Sequence, residues 1–235
     1  MNEHISSAYD RDLEAIQALA MKMGGLVEEA ILNAAESLAN RDAELAEKVR
    51  AGDKVIDALE VQINEEAART IALRAPVSKD LRAILSVLRL AASLERIGDY
   101  AKNMAKRTGS LVEMSPINGT DAALRRMARE VQAMLKDTLD AYLRGDADLA
   151  ESVRQRDQEV DQMYNALFRE FLTFMMEDPR NITSCMHLHF MAKNVERMGD
   201  LVTNMAEQVI YLVTGEMPEE GRPKSDKTAF VTDPG

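Results

Sequence analysis

The sequence predicts an all-α fold: two tandem, internally repeated antiparallel three-helix bundles. Three observations predict it. The composition starves a β-sheet, with aromatic residues at 4%, no tryptophan and 15 methionines among 235 residues, whereas strands favour β-branched and aromatic side chains. Apolar residues recur at helical spacing through six long stretches. The pattern of the first half then starts again in the second.

The first stretch runs from Leu13 through Ile16, Leu19, Met23, Val27, Ile31, Ala34 and Leu38. Gly24-Gly25 interrupts it at a cost of about 1 kcal/mol per glycine relative to alanine, but the apolar face resumes in phase, so one helix is expected. Asn40-Arg41-Asp42 ends it, with Asp42 placed to cap a second helix from about Ala43 to Leu73 that turns Leu45, Val49, Ile56, Leu59 and Ile63 inward. Ala75-Pro76 stops that helix, because a residue preceding proline is pushed out of the α region. Ser78 is the expected cap of a third helix reaching about Arg107 and carrying Leu81, Ile84, Leu85, Leu88, Ile97 and Met104. Gly109, Pro116 and Gly119 mark a linker. Helices from about Asp121 to Leu143, on to Met176 and from Ile182 to Val213 follow, broken at Gly145-Asp146 and Asp178-Pro179. The expected domains are therefore 8–108 and 121–214, joined by a linker at 109–120, with a disordered, proline-bearing tail over 215–235.

The restart is a true repeat. DAELAEKVRAGDKVID at 42–57 and DADLAESVRQRDQEVD at 146–161 share nine of sixteen residues at an offset of 104. LERIGDYAKNMA at 94–105 and VERMGDLVTNMA at 195–206 share seven of twelve at an offset of 101. The three-residue difference belongs to the turns near Pro76 and Pro179.

Four carboxylates per copy persist: Asp53, Asp57, Glu95 and Asp99 in the first, Asp157, Asp161, Glu196 and Asp200 in the second. Each i, i+4 pair shares one helix face, where like charges destabilise the helix by a few tenths of a kcal/mol. Folding the hairpins about residues 76 and 179 sets the two pairs of each copy opposite one another, with Asn103 and Asn204 one turn further on. Gly98 and Gly199 permit close approach there. Such clusters ask for a cation, and hard oxygen donors without histidine suit Mg²⁺, Mn²⁺, Ca²⁺ or iron better than zinc. The competing reading is a salt-bridge network in which Arg50, Arg96, Arg154 and Arg197 neutralise the carboxylates.

Other functions are disfavoured. A net charge of −11 and a pI near 4.9 argue against a nucleic-acid binder, which needs a basic face. No run approaches the roughly 18 apolar residues of a membrane span, and the acidic, periodic N-terminus is unlike a signal peptide. The single Cys185 suits a reducing cytosol. It is expected buried and inert, although a helix start can lower a thiol's pKa. His187 and His189, two apart, should point to different faces. The methionines of the last two helices suit a core or an adaptable partner surface. No phosphate-binding loop, nucleophile elbow or HExxH motif occurs, and no glutamate has the histidine three residues on that a di-metal carboxylate enzyme uses. An inert helical adaptor and, less favoured, a di-metal enzyme stand as alternatives.

LERIGDYAKN and VERMGDLVTN, with DKVID and DQEVD upstream, resemble the PhoU family over about residues 8–215. The resemblance implies a cytoplasmic, non-enzymatic homodimer that represses the phosphate-starvation response. It would couple the phosphate ABC transporter, through its ATPase subunit (PstB), to a sensor histidine kinase (PhoR), meeting membranes only through these partners and nucleic acid not at all. It also implies metal at the E(D)xxxD motifs, here Glu95/Asp99 and Glu196/Asp200 facing Asp53/Asp57 and Asp157/Asp161. The ions would be divalent or iron: Mg, Mn, Fe or Zn. Many members carry histidine after the motif aspartate, where this chain has Tyr100 and Leu201, leaving the metal open.

Overall fold

A computed structural model describes residues 2–218; positions 219–235 of the expected tail lie outside them. Six α-helices follow in order: α1 (Asn2–Ala39), α2 (Ala43–Arg74), α3 (Lys79–Leu111), α4 (Thr120–Arg144), α5 (Ala147–Glu177) and α6 (Ile182–Thr214), with a 3₁₀ turn at Pro179–Asn181 before α6. No strand occurs among the described residues. Helices α1, α2 and α3 pack on one another, as do α4, α5 and α6, and the two units join through α3 against α6 and α1 against α4. The result is a central square of α1, α3, α6 and α4 with α2 and α5 as wings. One broad face therefore presents α2, α3, α6 and α5 in that order.

The local chemistry at the turns repeats between copies. Asp42 and Asp146 each cap a helix, accepting from the backbone N–H of Leu45 and Leu149 at 2.9 Å. Gly145 adopts positive φ (63°) just before the second cap, and its counterpart is Arg41, also at positive φ (54°). This strained backbone is offset by the Arg41 guanidinium, which donates to the carbonyls of Leu111, Val112 and Met114 at the end of α3. The three-residue difference between the copies does not fall in the turns, which are both four residues long (75–78 and 178–181); it lies in the helix segments flanking them, so the second hairpin is shorter along α5 and α6. Ala75–Ser78 is an extended connection with Ala75 and Ser78 at positive φ, whereas the second copy closes with the 3₁₀ turn.

Some expectations need correction. Ser78 makes no side-chain cap, because its positive φ turns the hydroxyl from the helix, and only its carbonyl accepts, from Arg82 N–H at 3.1 Å. Leu85 is 45% exposed. The third helix continues to Leu111, carrying Gly109 inside it.

The glycine pair of α1 divides its roles. A Cβ on Gly24 would lie 2.5 Å from Leu139 Cδ1, so this residue lets α4 approach, while one on Gly25 would meet nothing within 4 Å. Gly25→Ala should then stabilise by about 0.5–1 kcal/mol, raising Tm by about 1–4 °C. Gly24→Ala should cost about 1–3 kcal/mol through overpacking. Thermal melts of the two variants check this: a shift of the same sign in both would contradict the packing assigned to the pair.

Candidate functional site

The first acidic cluster forms where α2 and α3 run side by side. Gly98 makes the approach possible, since a Cβ there would stand 3.2 Å from Ile56 Cδ1 and 3.7 Å from Asp53 Oδ1. Asp53 is 3% exposed. Its Oδ2 accepts from Lys102 Nζ at 2.5 Å, and the same ammonium donates to Asp99 Oδ1 at 3.1 Å. Lys102 thus bridges the two helices, and its hydrogen bonds to Asp53 and then Asp99 push its pKa well above the usual lysine value. Asp53 Oδ1 is buried with no hydrogen-bond partner.

The remaining carboxylates show the strain of crowding. Burial, then the charge of Asp53, raises the pKa of Asp57. Burial, then the charge of Asp99, raises that of Glu95. Glu60, which the sequence reading overlooked, adds to both. All four expected residues are therefore within electrostatic reach of one another, at the heights the hairpin register requires.

The second cluster has the same frame and different chemistry. Gly199 again permits contact, with Asp157 Oδ1 only 3.2 Å from where its Cβ would sit. Asp157, Asp161 and Glu196 are buried, and Asp200 is half-buried. Lys193 donates to Glu196 at 2.8 Å and lies 4.9 Å over the Tyr164 ring. The counterparts of Lys102, Lys193 and Glu60 in the other copy are Thr203, Ala92 and Tyr164. Each copy brings a lysine to its carboxylates, from opposite ends of the motif.

The arginines expected to neutralise the clusters do otherwise. Arg50 pairs with Glu47 at 2.5 Å, and Arg154 with Glu151 at 2.7 Å and Glu207 at 3.2 Å. Arg96 and Arg197 are exposed and make no ion pair among the described residues. Asn103 and Asn204 are exposed too, and Asn103 lines a groove between α3 and α6. Among the described residues, no three His, Cys, Asp or Glu side chains are gathered tightly enough to hold a metal ion as they stand.

The other flagged residues find separate places. His187 Nδ1 lies 3.4 Å from the Arg107 guanidinium. His189 packs against the rings of Tyr164, Phe168 and Phe190, and burial, then Lys193, lowers its pKa. Burial raises the pKa of the Cys185 thiol, so the helix start does not activate it. Met191, Met198 and Met205 are core, whereas Met176 and Met186 are exposed.

Fold and clusters together define a tandem-repeat helical protein with a duplicated acidic motif. The PhoU domain description matches residues 20–108 and again 124–209, and the chain belongs to the PhoU family. It is 45% identical over 228 residues to the phosphate-specific transport system accessory protein PhoU homolog of Rhizobium meliloti, covering 97% of this chain and 96% of that one. It is likewise 45% identical over 226 residues to the Caulobacter vibrioides (strain NA1000 / CB15N) homolog, covering 96% and 98%. The crystal structure of PhoU from Pseudomonas aeruginosa superposes with a TM-score of 0.86 at 40% identity, covering 88% of this chain and all of that one. The phosphate transport system regulatory protein PhoU from Streptococcus pneumoniae gives 0.83 at 31%, covering 90% and 99%.

Two tests follow from the cluster. Lys102→Met leaves the buried Asp53 charge unpaired and should cost about 1–3 kcal/mol; a neutral substitution would show that the bridge carries no stability. Asp57 and Glu95 hold protons more tightly folded than unfolded, so their contribution falls as pH rises from the ordinary carboxylate range, about 4, through their raised folded values. Asp57→Asn/Glu95→Gln should therefore melt above the parent at pH 7, with the gap closing towards pH 3. A gap that persists unchanged at pH 3 would contradict charge repulsion.

Proposed function

We propose that this chain is a cytoplasmic, non-enzymatic negative regulator of the phosphate-starvation response, coupling a phosphate ABC transporter to a sensor histidine kinase and acting as a homodimer. One observation carries the reading: the identity to accessory proteins of the phosphate-specific transport system runs the length of the chain, through both repeats and both motifs. No described helix is long and apolar enough to cross a membrane. The transporter's ATPase subunit and the kinase are the partners this reading assigns.

The proposal extends to cations at the clusters. Asp53, Asp57, Glu95 and Asp99 would hold one site, and Asp157, Asp161, Glu196 and Asp200 the other. The donor set fits a hard divalent or iron ion by its chemistry: carboxylate oxygens, crowding that raises two pKa values, and a buried Asp53 oxygen still lacking a hydrogen bond. Bound metal would supply the positive charge that lysine now supplies, and the carboxylates would have to draw in around it. A second reading rests on Lys102. Its ammonium already joins Asp53 to Asp99, which suits an adaptor whose clusters are internally neutralised and need no metal.

Deletion of the gene should raise phosphate-starvation reporter activity in phosphate-rich medium, and an unchanged reporter would count against the regulatory role. Elemental mass spectrometry on chelator-free protein, beside Glu95→Ala/Asp99→Ala/Glu196→Ala/Asp200→Ala, separates the two readings of the clusters. Near-stoichiometric metal lost in the variant supports cation sites. Metal absent from both after soaking with Mn²⁺ and Fe²⁺ supports the internally neutralised adaptor.

A further inference from the structure

A row of cations crosses the middle of the α2–α3–α6–α5 face, on a chain whose net charge is −11. Arg82, Arg89 and Arg96 recur every seven residues along α3, Arg107 continues the row, and Arg197 stands beside them on α6. None of the five, nor Lys106 next to them, makes an ion pair with a carboxylate among the described residues. What they meet is neutral: Arg82 lies 5.1 Å from the Tyr211 ring centroid, Arg89 donates to Gln208 at 2.8 Å, and Arg107 lies 4.3 Å from the Phe190 ring centroid. These cross-contacts also fix α3 and α6 as antiparallel, so the row spans about 38 Å of helix at 1.5 Å per residue.

Between Arg107 and Arg197 the row dips into a groove of about 520 Å³, lined also by Asn103, Asn194, His187 and Phe190. The groove has an apolar margin on α6, where Ile182, Met186 and Phe190, each four residues apart, are all about two-fifths exposed or more. On both sides of the row lie the acidic clusters, one between α2 and α3 and one between α5 and α6. Packed helices are 8–10 Å apart, so the basic strip is about one helix wide.

That pattern selects its occupant. A broad anionic surface, whether a bilayer or a nucleic-acid duplex, would be repelled by carboxylates on both flanks. A single helix or extended chain with acidic residues and an apolar edge fits the strip, its carboxylates on the arginines and its apolar side chains at Phe190 and Met186. We infer that the α3/α6 ridge is the docking groove for an acidic, amphipathic segment of a partner protein. The partner's identity as a phosphate-signalling protein rests on the regulatory reading above; its chemistry rests on the ridge alone.

The test uses the full chain and a fluorescent peptide of about sixteen residues, glutamate throughout with leucine at every fourth position. Fluorescence anisotropy should show salt-sensitive binding that weakens at least about tenfold in Arg89→Glu/Arg96→Glu/Arg197→Glu. A variant of equal charge change elsewhere, Arg126→Glu/Arg129→Glu/Arg169→Glu, should bind like the parent. All six positions are exposed, and superimposable thermal melts verify that both variants fold. No binding, or equal weakening in both variants, overturns the inference. So does full competition by equimolar tripolyphosphate, which would assign the ridge to small oxyanions, or ridge-dependent sedimentation with phosphatidylglycerol vesicles, which would assign it to membranes. The two proposals can fail separately. An unchanged reporter in the deletion strain overturns the regulatory reading while the peptide result still decides the groove, and a ridge variant that represses the reporter like the parent overturns the groove alone.

Discussion

Carboxylates set face to face across two packed helices need a positive charge between them, and much else in this protein depends on how that charge is supplied. Asp53 and Asp157 are each 3% exposed, and a buried charge is tolerable only when paired. In the first copy Lys102 does the pairing and holds α2 to α3 through Asp53 and Asp99. In the second, Lys193 reaches Glu196 from one turn earlier and rests on Tyr164. Glycine at 98 and 199 keeps the helices close enough for these contacts. The duplication has thus kept the demand for a cation and let each copy meet it differently.

The same arrangement shapes the outer face. With the acidic clusters drawn into the α2/α3 and α5/α6 grooves, the arginines beside the motifs are left without carboxylates and crown the α3/α6 seam. Acid, base and acid alternate across four helices, a pattern that favours a narrow partner over a flat one. A cation entering a cluster would change the charge on the flank of the ridge, which links the two features electrostatically over roughly one Debye length, about 10 Å at 0.1 M salt.

Much of this was legible in the sequence, for physical reasons. Helical periodicity placed all six helices because their buried faces are continuous, and the repeat located the clusters because hairpin geometry converts two offsets into facing positions. Asp42 announced its cap by residue type. The lysines were not legible because a repeat marks only what its copies share, and Lys102, Lys193 and Glu60 have no counterpart of like charge across it. The cations nearest the motifs in sequence, Arg96 and Arg197, point away from the clusters, since a helix carries i+1 neighbours to a different face. Ser78 looked like a cap by type, but its positive φ leaves it without a side-chain cap bond, and residue type alone does not reveal that backbone conformation. Leu85 is apolar yet outward, near the start of a helix whose inward face is already filled by Ile84, Val87 and Leu88.

A metal ion bound at each acidic cluster, as proposed, would clamp the second and third helices of its bundle together. Native-state hydrogen exchange on the full chain, with and without saturating Mn²⁺, reads that clamp residue by residue. Exchange should slow in α2 and α3 around residues 53–57 and 95–102, and in α5 and α6 around 157–161 and 193–200. Slowing confined to helix ends, or none at all, would contradict the clamp and leave the clusters as carboxylates that lysine alone neutralises.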